Sequence, residues 1–215
     1  MMDGMERVDA AVLELARRLG AEEQSYPARI ARETLERVEN FTSFPGQAIP
    51  DGEGFMPPAV CYHTYELLRN VRLQDSPYVV TARNLCARHE QNYDDVHLRE
   101  FTMREIVFFG AHAEVEKIRK QLIRGGEAIA ASLGLDAEIA VATDAFFLGT
   151  SRGKALLQRI KKLKLELRVG GIPLASFNHH EDFFGRRMQI RLQNGEVAQS
   201  GCAAFGLERW AHAPR

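Results

Sequence analysis

A long predicted β-hairpin at the centre of the sequence constrains the fold more than any other feature. Its two strands, 78–88 and 97–109, are joined by the polar segment HEQNYDD, as expected for antiparallel neighbours. Further strands are predicted at 138–147, 163–169, 172–178, 187–192 and from Val197, the last turning into a terminal helix at Gly206. Strands with short connections, bracketed by helices, favour an α+β domain built on a largely antiparallel sheet.

Apolar residues at helical spacing predict the elements that bracket these strands. Helices are expected at 5–19, 28–40, 59–72, 113–133 and 151–160. The segment 43–58 is rich in proline and glycine and is predicted to be a loop,. Since no repeat or linker divides the chain, we expect a single domain over 1–215.

Length and charge limit the class of protein. The chain has 215 residues, and its 28 basic and 29 acidic residues give a net charge of −1. A dedicated nucleic-acid binder usually carries a strong basic excess, so this class is disfavoured.

Cysteine content and the N-terminus bear on the compartment. Three scattered cysteines are too few for a disulfide framework,, which favours a reducing cytoplasm. The N-terminal segment carries Asp3, Glu6 and Asp9 where a signal peptide would be basic and then apolar,. No apolar run approaches the ~20 residues that span a bilayer. We therefore expect a cytoplasmic protein without a membrane anchor.

The hairpin also carries the most informative group of side chains. His97, Phe101 and Glu105 recur at intervals of four, and an even interval keeps strand side chains on one face. The other arm ends in the sequence Arg88-His89-Glu90. A guanidinium for phosphate, a carboxylate for an amine and a ring for base stacking are what an ATP pocket without a P-loop needs.

These residues resemble motif 2 of the class II aminoacyl-tRNA synthetases, which has the form fRxE, loop, H/RxxxFxxxD/E. The segment RHE-QNYDDV-HLREFTMRE matches it except that Ala87 replaces the first aromatic residue, and SGCAAFGLERW resembles motif 3. The phrases PPAVCYH, LREFTMREIVFFG and ASFNHHEDFFG make the sequence most similar to the amino acid:[carrier protein] ligases. These are homologues of the catalytic core of the zinc-dependent atypical seryl-tRNA synthetases. The resemblance implies a class II antiparallel sheet flanked by helices.

The resemblance also implies an ATP site. Arg88 would hold the α-phosphate, Glu90 would contact the adenine amine and Phe101 would stack on the base. Arg209 would reach the γ-phosphate, so that Arg88 and Arg209 are the expected catalytic residues. Magnesium would accompany ATP, although its carboxylate ligand has no clear match and Glu166 is a candidate only by proximity.

A zinc site and an amino-acid pocket are implied in the same way. Cys61, Glu105 and Cys202 would be the zinc ligands, with a position left open for the substrate's α-amino group. Asp144 and Asn178 would line the amino-acid pocket. Without the resemblance, Cys61 and Cys202 would more simply be buried apolar cysteines.

The implied reaction joins a small amino acid to ATP as an aminoacyl adenylate and passes it to the phosphopantetheine thiol of a carrier protein. A homodimer is expected, as in the family, and the chain is expected to be shortened at its N-terminus. The alternative is a catalytically impaired paralogue that binds a ligand or a partner. A tRNA ligase ranks third, because the charge is balanced and no anticodon module or helical arm is recognisable.

Other conspicuous residues have simpler interpretations. Cys86, Phe183, Phe184 and Trp210 are predicted to pack in the core. His179 and His180 are adjacent on a predicted strand, so they should face opposite sides and not share a metal.

A basic run lies at 152–168. It is either a solvated face or a docking surface for an acidic carrier protein.

Overall fold

A computed structural model gives the fold of residues 2–142 and 162–214. The helices are α1 (Met2–Arg18), α2 (Arg32–Arg37), α3 (Asn40–Ser43), α4 (Cys61–Leu67), α5 (His112–Ser132), α6 (Phe183–Arg187) and α7 (Leu207–Ala211). The strands are β1 (Glu22–Gln24), β2 (Pro50–Asp51), β3 (Gly54–Phe55), β4 (Tyr78–Ala87), β5 (Glu100–Gly110), β6 (Ala137–Ala142), β7 (Lys164–Val169), β8 (Ile172–Glu181) and β9 (Gln199–Gly206).

A seven-stranded sheet organises these elements in the order β1-β4-β5-β9-β8-β7-β6. Every pairing in it is antiparallel except that of the short edge strand β1 with β4. Strands β2 and β3 form a separate small hairpin. The predicted α+β architecture with a largely antiparallel sheet is therefore confirmed.

The two faces of the sheet support two different cores. On β5, Ile106 and Phe108 belong to one core and Val107 and Phe109 to the other, because successive strand residues point to opposite faces. The first core packs α1 and α5 on the sheet and includes Val8, Val12, Val115, Ile118, Leu122, Phe177 and Phe205. The second core gathers the shorter elements and includes Leu35, Tyr65, Phe184, Met188 and Ile190.

Several predicted elements are shorter or interrupted. Of the helix expected at 28–40, only Arg32–Arg37 forms as α2, and Glu39, with a left-handed φ of 56°, separates it from α3. The helix expected at 59–72 ends at Leu67, since the backbone of Val71 and Leu73 hydrogen-bonds with that of Arg191. Strand β5 begins at Glu100 and not at His97 as predicted.

The strand predicted at 187–192 is wrong. Residues 183–187 form helix α6, and the following segment belongs to no strand, although Arg191 forms isolated β-bridges with Arg72 and Val197. Met188, Ile190 and Leu192 are buried in the second core, and their alternation is what resembled a strand. The helix predicted at 151–160 lies outside the described residues, as does the end of the strand predicted at 138–147.

One close backbone approach in the middle of the sheet gives a testable stability prediction. A Cβ at Gly201 would lie 2.5 Å from Phe108 Cε2 and 2.6 Å from the carbonyl oxygen of Asn178. Gly201→Ala is expected to destabilise the protein by about 1–3 kcal/mol through overpacking. Gly4→Ala in α1, where the backbone is helical and a Cβ would come no closer than 3.7 Å to its neighbour Ala211, separates loss of close packing from loss of glycine, and urea unfolding measures both. Equal losses in the two variants would contradict the packing explanation.

No helix among the described residues has the length and apolar character needed to cross a membrane.

Candidate active site

A large pocket opens on the sheet face that the second core leaves partly uncovered. Its walls include side chains of β5, β7, β8 and β9, together with residues that precede α4 and follow β4. This pocket is lined by most of the site residues that the sequence predicted: Cys61, Arg88, Glu90, Phe101, Glu105, Asn178, Cys202 and Arg209. Asp144 lies outside the described residues.

Arg88 is fixed over an aromatic ring at one side of the pocket. It follows the last residue of β4, and its Nε donates to the carbonyl oxygen of Pro58 at 2.8 Å. Its guanidinium carbon lies 5.3 Å from the centre of the Phe101 ring, within the range of a cation–π contact. Arginine and aromatic ring thus share one surface, as the strand register predicted.

Arg209 lies in the short helix α7, directly after β9. Its Nε donates to the carbonyl oxygen of Val96 at 2.8 Å and its Nη1 to that of Pro173 at 3.1 Å. Burial lowers the pKa of Arg209, and the charge of Arg88 lowers it further. Two guanidiniums close enough to repel each other line one pocket, and an anion between them would relieve that repulsion.

Glu90 and His97 reach the pocket from the loop between β4 and β5. The backbone N–H of Glu90 donates to the Tyr93 hydroxyl at 3.2 Å. His97 lies outside β5, and its Nδ1 is 2.9 Å from a carboxylate oxygen of Asp94. These contacts shape the loop that carries both residues.

Cys61, Glu105 and Cys202 form a compact buried cluster. The three residues come from α4, β5 and β9, and each offers a ligand atom within 4.8 Å of the others. They are 4%, 1% and 3% exposed, so the cluster is closed to bulk water except through the pocket. Two sulfurs and a carboxylate oxygen are a suitable donor set for zinc.

Burial changes the pKa values in this cluster and leaves one potential metal-ligand atom without a hydrogen-bond partner among the described residues. Burial raises the pKa of Glu105 to about 8, and the neighbouring Cys202 raises it as well. One Glu105 oxygen accepts the Val60 N–H at 2.9 Å, whereas the other, buried oxygen has no hydrogen-bond partner among the described residues. The hydrogen bond between the two thiols raises the pKa of Cys61 and lowers that of Cys202.

Some pocket residues were not recognised in the sequence. Ser176 and Glu208 line the pocket, and one buried oxygen of Glu208 has no hydrogen-bond partner in the described part of the chain. The signal for Glu208 was its place next to Arg209 at the end of β9. Glu166 does line the pocket, but Arg168 binds it at 2.6 Å.

The packing interpretations can also be compared with the structure. Cys86 is buried in a small cluster with Val60, Ala82 and Met103, and Phe184 and Trp210 are buried. Phe183 is partly buried against the second core. The two histidines face opposite sides of the sheet: His179 contacts Glu116 of α5, and His180 contacts Tyr65 of α4.

Comparison with known proteins identifies the class to which this fold corresponds. The chain superposes on the seryl-tRNA synthetase of Methanopyrus kandleri, solved with a tRNASec of A. aeolicus, with a TM-score of 0.77 and 20% identity over 95% of this chain. It also superposes on the seryl-tRNA synthetase of Pyrococcus horikoshii complexed with ATP, with a TM-score of 0.74 and 15% identity over 98% of this chain. The chain spans 51% of each synthetase. The fold is that of the class II synthetase core.

Relatives found by sequence indicate a more specific class of protein. Two amino acid–[acyl-carrier-protein] ligases of Bradyrhizobium diazoefficiens, numbers 1 and 2, are each 29% identical to the chain, over 94% and 97% of its length and 73% of theirs. No family model matches the chain. The comparisons confirm the resemblance to these ligases and to the class II core, and they support a ligase.

Proposed function

We propose that the protein activates a small amino acid with ATP and transfers the aminoacyl group to the phosphopantetheine thiol of a carrier protein. One observation carries the proposal: Arg88 over Phe101, Arg209 and the cluster of Cys61, Glu105 and Cys202 line a single pocket. An anion site, a base-stacking ring and an amine-binding centre are what adenylation of an amino acid requires. The carrier-protein partner is proposed because it is the partner in the names of both relatives.

In the first step, the substrate carboxylate attacks the α-phosphorus of ATP and pyrophosphate leaves. Phe101 stacks on adenine and Glu90 accepts from the adenine amine. Arg88 binds the α-phosphate and Arg209 the γ-phosphate, so their charges offset the negative charge that the transition state places on the phosphate oxygens. Both guanidiniums are already held by backbone carbonyls, which lowers the reorganisation needed when ATP binds.

The amine-binding role is assigned to Cys61, Glu105 and Cys202. The buried Glu105 oxygen that has no hydrogen-bond partner among the described residues, together with the two neighbouring sulfurs, fits a zinc ion,. When bound, zinc supplies a Lewis acid with an open position for a neutral α-amino group. Asn178, whose Nδ2 lies 3.3 Å from Cys202 Sγ, borders the cluster and would line the amino-acid pocket. Asp144 remains a proposed substrate contact.

Magnesium is proposed to accompany ATP on pocket carboxylates, since it prefers oxygen ligands. Glu208 is a better candidate for a magnesium ligand than Glu166. One Glu208 oxygen is buried without a hydrogen-bond partner in the described chain, whereas Glu166 forms an ion pair with Arg168. In the sequence, Glu166 was a candidate only by proximity.

In the second step, the carrier's thiol sulfur attacks the aminoacyl carbonyl and AMP leaves, so no cysteine of this chain is consumed. The basic run at 152–168, most of which lies outside the described residues, remains the proposed docking surface. Charge reversal at Lys161 and Lys162 is expected to slow transfer to the carrier and to leave adenylation unchanged. Unchanged transfer to the carrier would contradict the proposed role of this run as a docking surface. We also propose that the protein is a homodimer, that it is cytoplasmic and that tRNA has no role in its reaction.

Amino-acid-dependent exchange of labelled pyrophosphate into ATP, measured together with bound zinc, tests the whole assignment. We expect exchange with a small amino acid, zinc in the purified protein, and loss of both after Cys61→Ser. Cys86→Ser is the matched control, because Cys86 is equally buried but packs outside the cluster. Absence of exchange with every amino acid would favour the alternative of a catalytically impaired paralogue. Transfer to tRNA in preference to carrier protein would contradict the assignment of a carrier protein as the acceptor.

A further inference from the structure

Asn178 on β8 lies directly opposite Cys202 on β9, at the edge of the proposed metal cluster. Because the two residues are paired across antiparallel strands, their side chains leave the same face of the sheet, which here is the face that lines the pocket. Nδ2 of Asn178 donates to Cys202 Sγ at 3.3 Å, and Asn178 is 8% exposed. Amide and sulfur therefore meet where water competes little for either group.

A second contact holds the same amide nitrogen. Nδ2 also donates to Ser176 Oγ at 3.3 Å, from a residue two positions earlier on the same strand and hence on the same face,. An asparagine amide nitrogen carries two hydrogens, so one can point to each acceptor. Oδ1 of Asn178 is buried and has no hydrogen-bond partner among the described residues. The amide is thus held through its nitrogen, and this nitrogen faces the sulfur.

The chemistry of a metal-bound sulfur favours this orientation of the amide. Rotation of an amide by 180° exchanges its oxygen and nitrogen with little change in shape. A cysteine that binds a metal is a thiolate, which has no proton to donate, so its charge repels the amide oxygen and attracts the N–H. A hydrogen bond to an ionised acceptor is about twice as strong as one between neutral groups.

We propose that Asn178 is a positioning residue that donates from Nδ2 to Cys202 Sγ and so orients and stabilises this sulfur as a metal ligand. The inference rests on the proposed function, because it requires a metal at Cys61, Glu105 and Cys202. Burial removes the water that would solvate the thiolate charge, and the amide N–H replaces part of that solvation. Hydrogen-bond partners of metal ligands commonly contribute about 10- to 100-fold to metal affinity. This role uses Nδ2 and leaves Oδ1 available for a contact with the amino acid.

The next residue on the strand provides a matched control. His179 is 2% exposed, but its Nδ1 lies 2.7 Å from a carboxylate oxygen of Glu116 and its Nε2 2.9 Å from the side-chain oxygen of Gln199, on the helix side of the sheet. His179→Gln therefore replaces a buried polar side chain of β8 without touching the cluster.

Competition with a chromogenic chelator measures zinc affinity, and cobalt(II) substitution reports the sulfur ligands through their sulfur-to-metal charge-transfer absorption. Asn178→Leu keeps roughly the shape of the side chain and removes the amide, and we expect zinc affinity to fall by about 10- to 100-fold. Loss of the N–H raises the energy of the sulfur electrons, so the charge-transfer band should move to longer wavelength. His179→Gln should change neither the affinity nor the band.

The outcomes separate the inference from the proposed function. Zinc binding by the unmodified protein that is lost in Cys202→Ser supports the metal site, and absence of zinc binding contradicts the proposed function. If that site is present, wild-type zinc affinity in Asn178→Leu overturns the inference. Reduced affinity with an unshifted charge-transfer band also overturns it, because it indicates a packing role for Asn178. Should Asn178→Leu fail to fold, Asn178→Ala decides by the same two measurements.

Discussion

Replacing either Arg88 or Arg209 by alanine is expected to lower the maximal rate of ATP–pyrophosphate exchange by about 10²–10³-fold, the usual effect of removing one preorganised donor to a transition-state anion. Both side chains line the pocket and are fixed by backbone carbonyls. Their charges would act on the same polyphosphate, so the double variant should lose less than the product of the two single effects.

Arg83→Ala provides the control for these two variants. Arg83 lies on β4 five residues before Arg88, and its side chain binds Glu6 and Asp9 on the opposite face of the sheet. Exchange should be unchanged in Arg83→Ala, measured at saturating ATP and amino acid. Full exchange activity in Arg88→Ala or Arg209→Ala would contradict the assignment of the polyphosphate site. Urea unfolding of each variant excludes loss of structure as the cause.

Asp9→Leu is expected to destabilise the protein by about 3–5 kcal/mol, because it leaves a buried cation without its main partner. Arg104 is 4% exposed, and its Nε and Nη2 donate to Asp9 at 2.5 and 3.1 Å, joining α1 to β5. Glu23 contacts the same guanidinium at 3.1 Å but is half-exposed, so it can compensate only in part.

A second substitution tests the cause of this loss. In Asp9→Leu with Arg104→Met, no buried charge remains at the site, and much of the lost stability should return. The free energies of unfolding in urea of the unmodified protein, both single variants and the double variant measure the coupling. A double variant as unstable as the sum of the singles would contradict the ion-pair explanation and indicate loss of packing.

The hairpin and much of the pocket could be predicted because strand alternation is a local rule. Once β4 and β5 pair, Phe101 and Glu105 must share a face and Arg104 must point to α1. The sequence could not indicate that Glu166 is held by Arg168, since that depends on side-chain rotamers. The role of Glu39 was also hidden, because a left-handed glutamate has no sequence signal. The irregular segment after α6 was misassigned because burial against a core produces the same alternation as strand pairing.

The order of strands also has a consequence for folding. β5 and β9 pair at the centre of the sheet, yet the whole of α5 and strands β6 to β8 separate them in sequence. Their association closes a long loop before any of its contacts can stabilise it, which makes folding slow relative to helical domains of equal size. The β4–β5 hairpin, whose pairing is local, can form first and already carries Glu105. Cys202 arrives only with β9, so the complete cluster requires this long-range pairing to have formed.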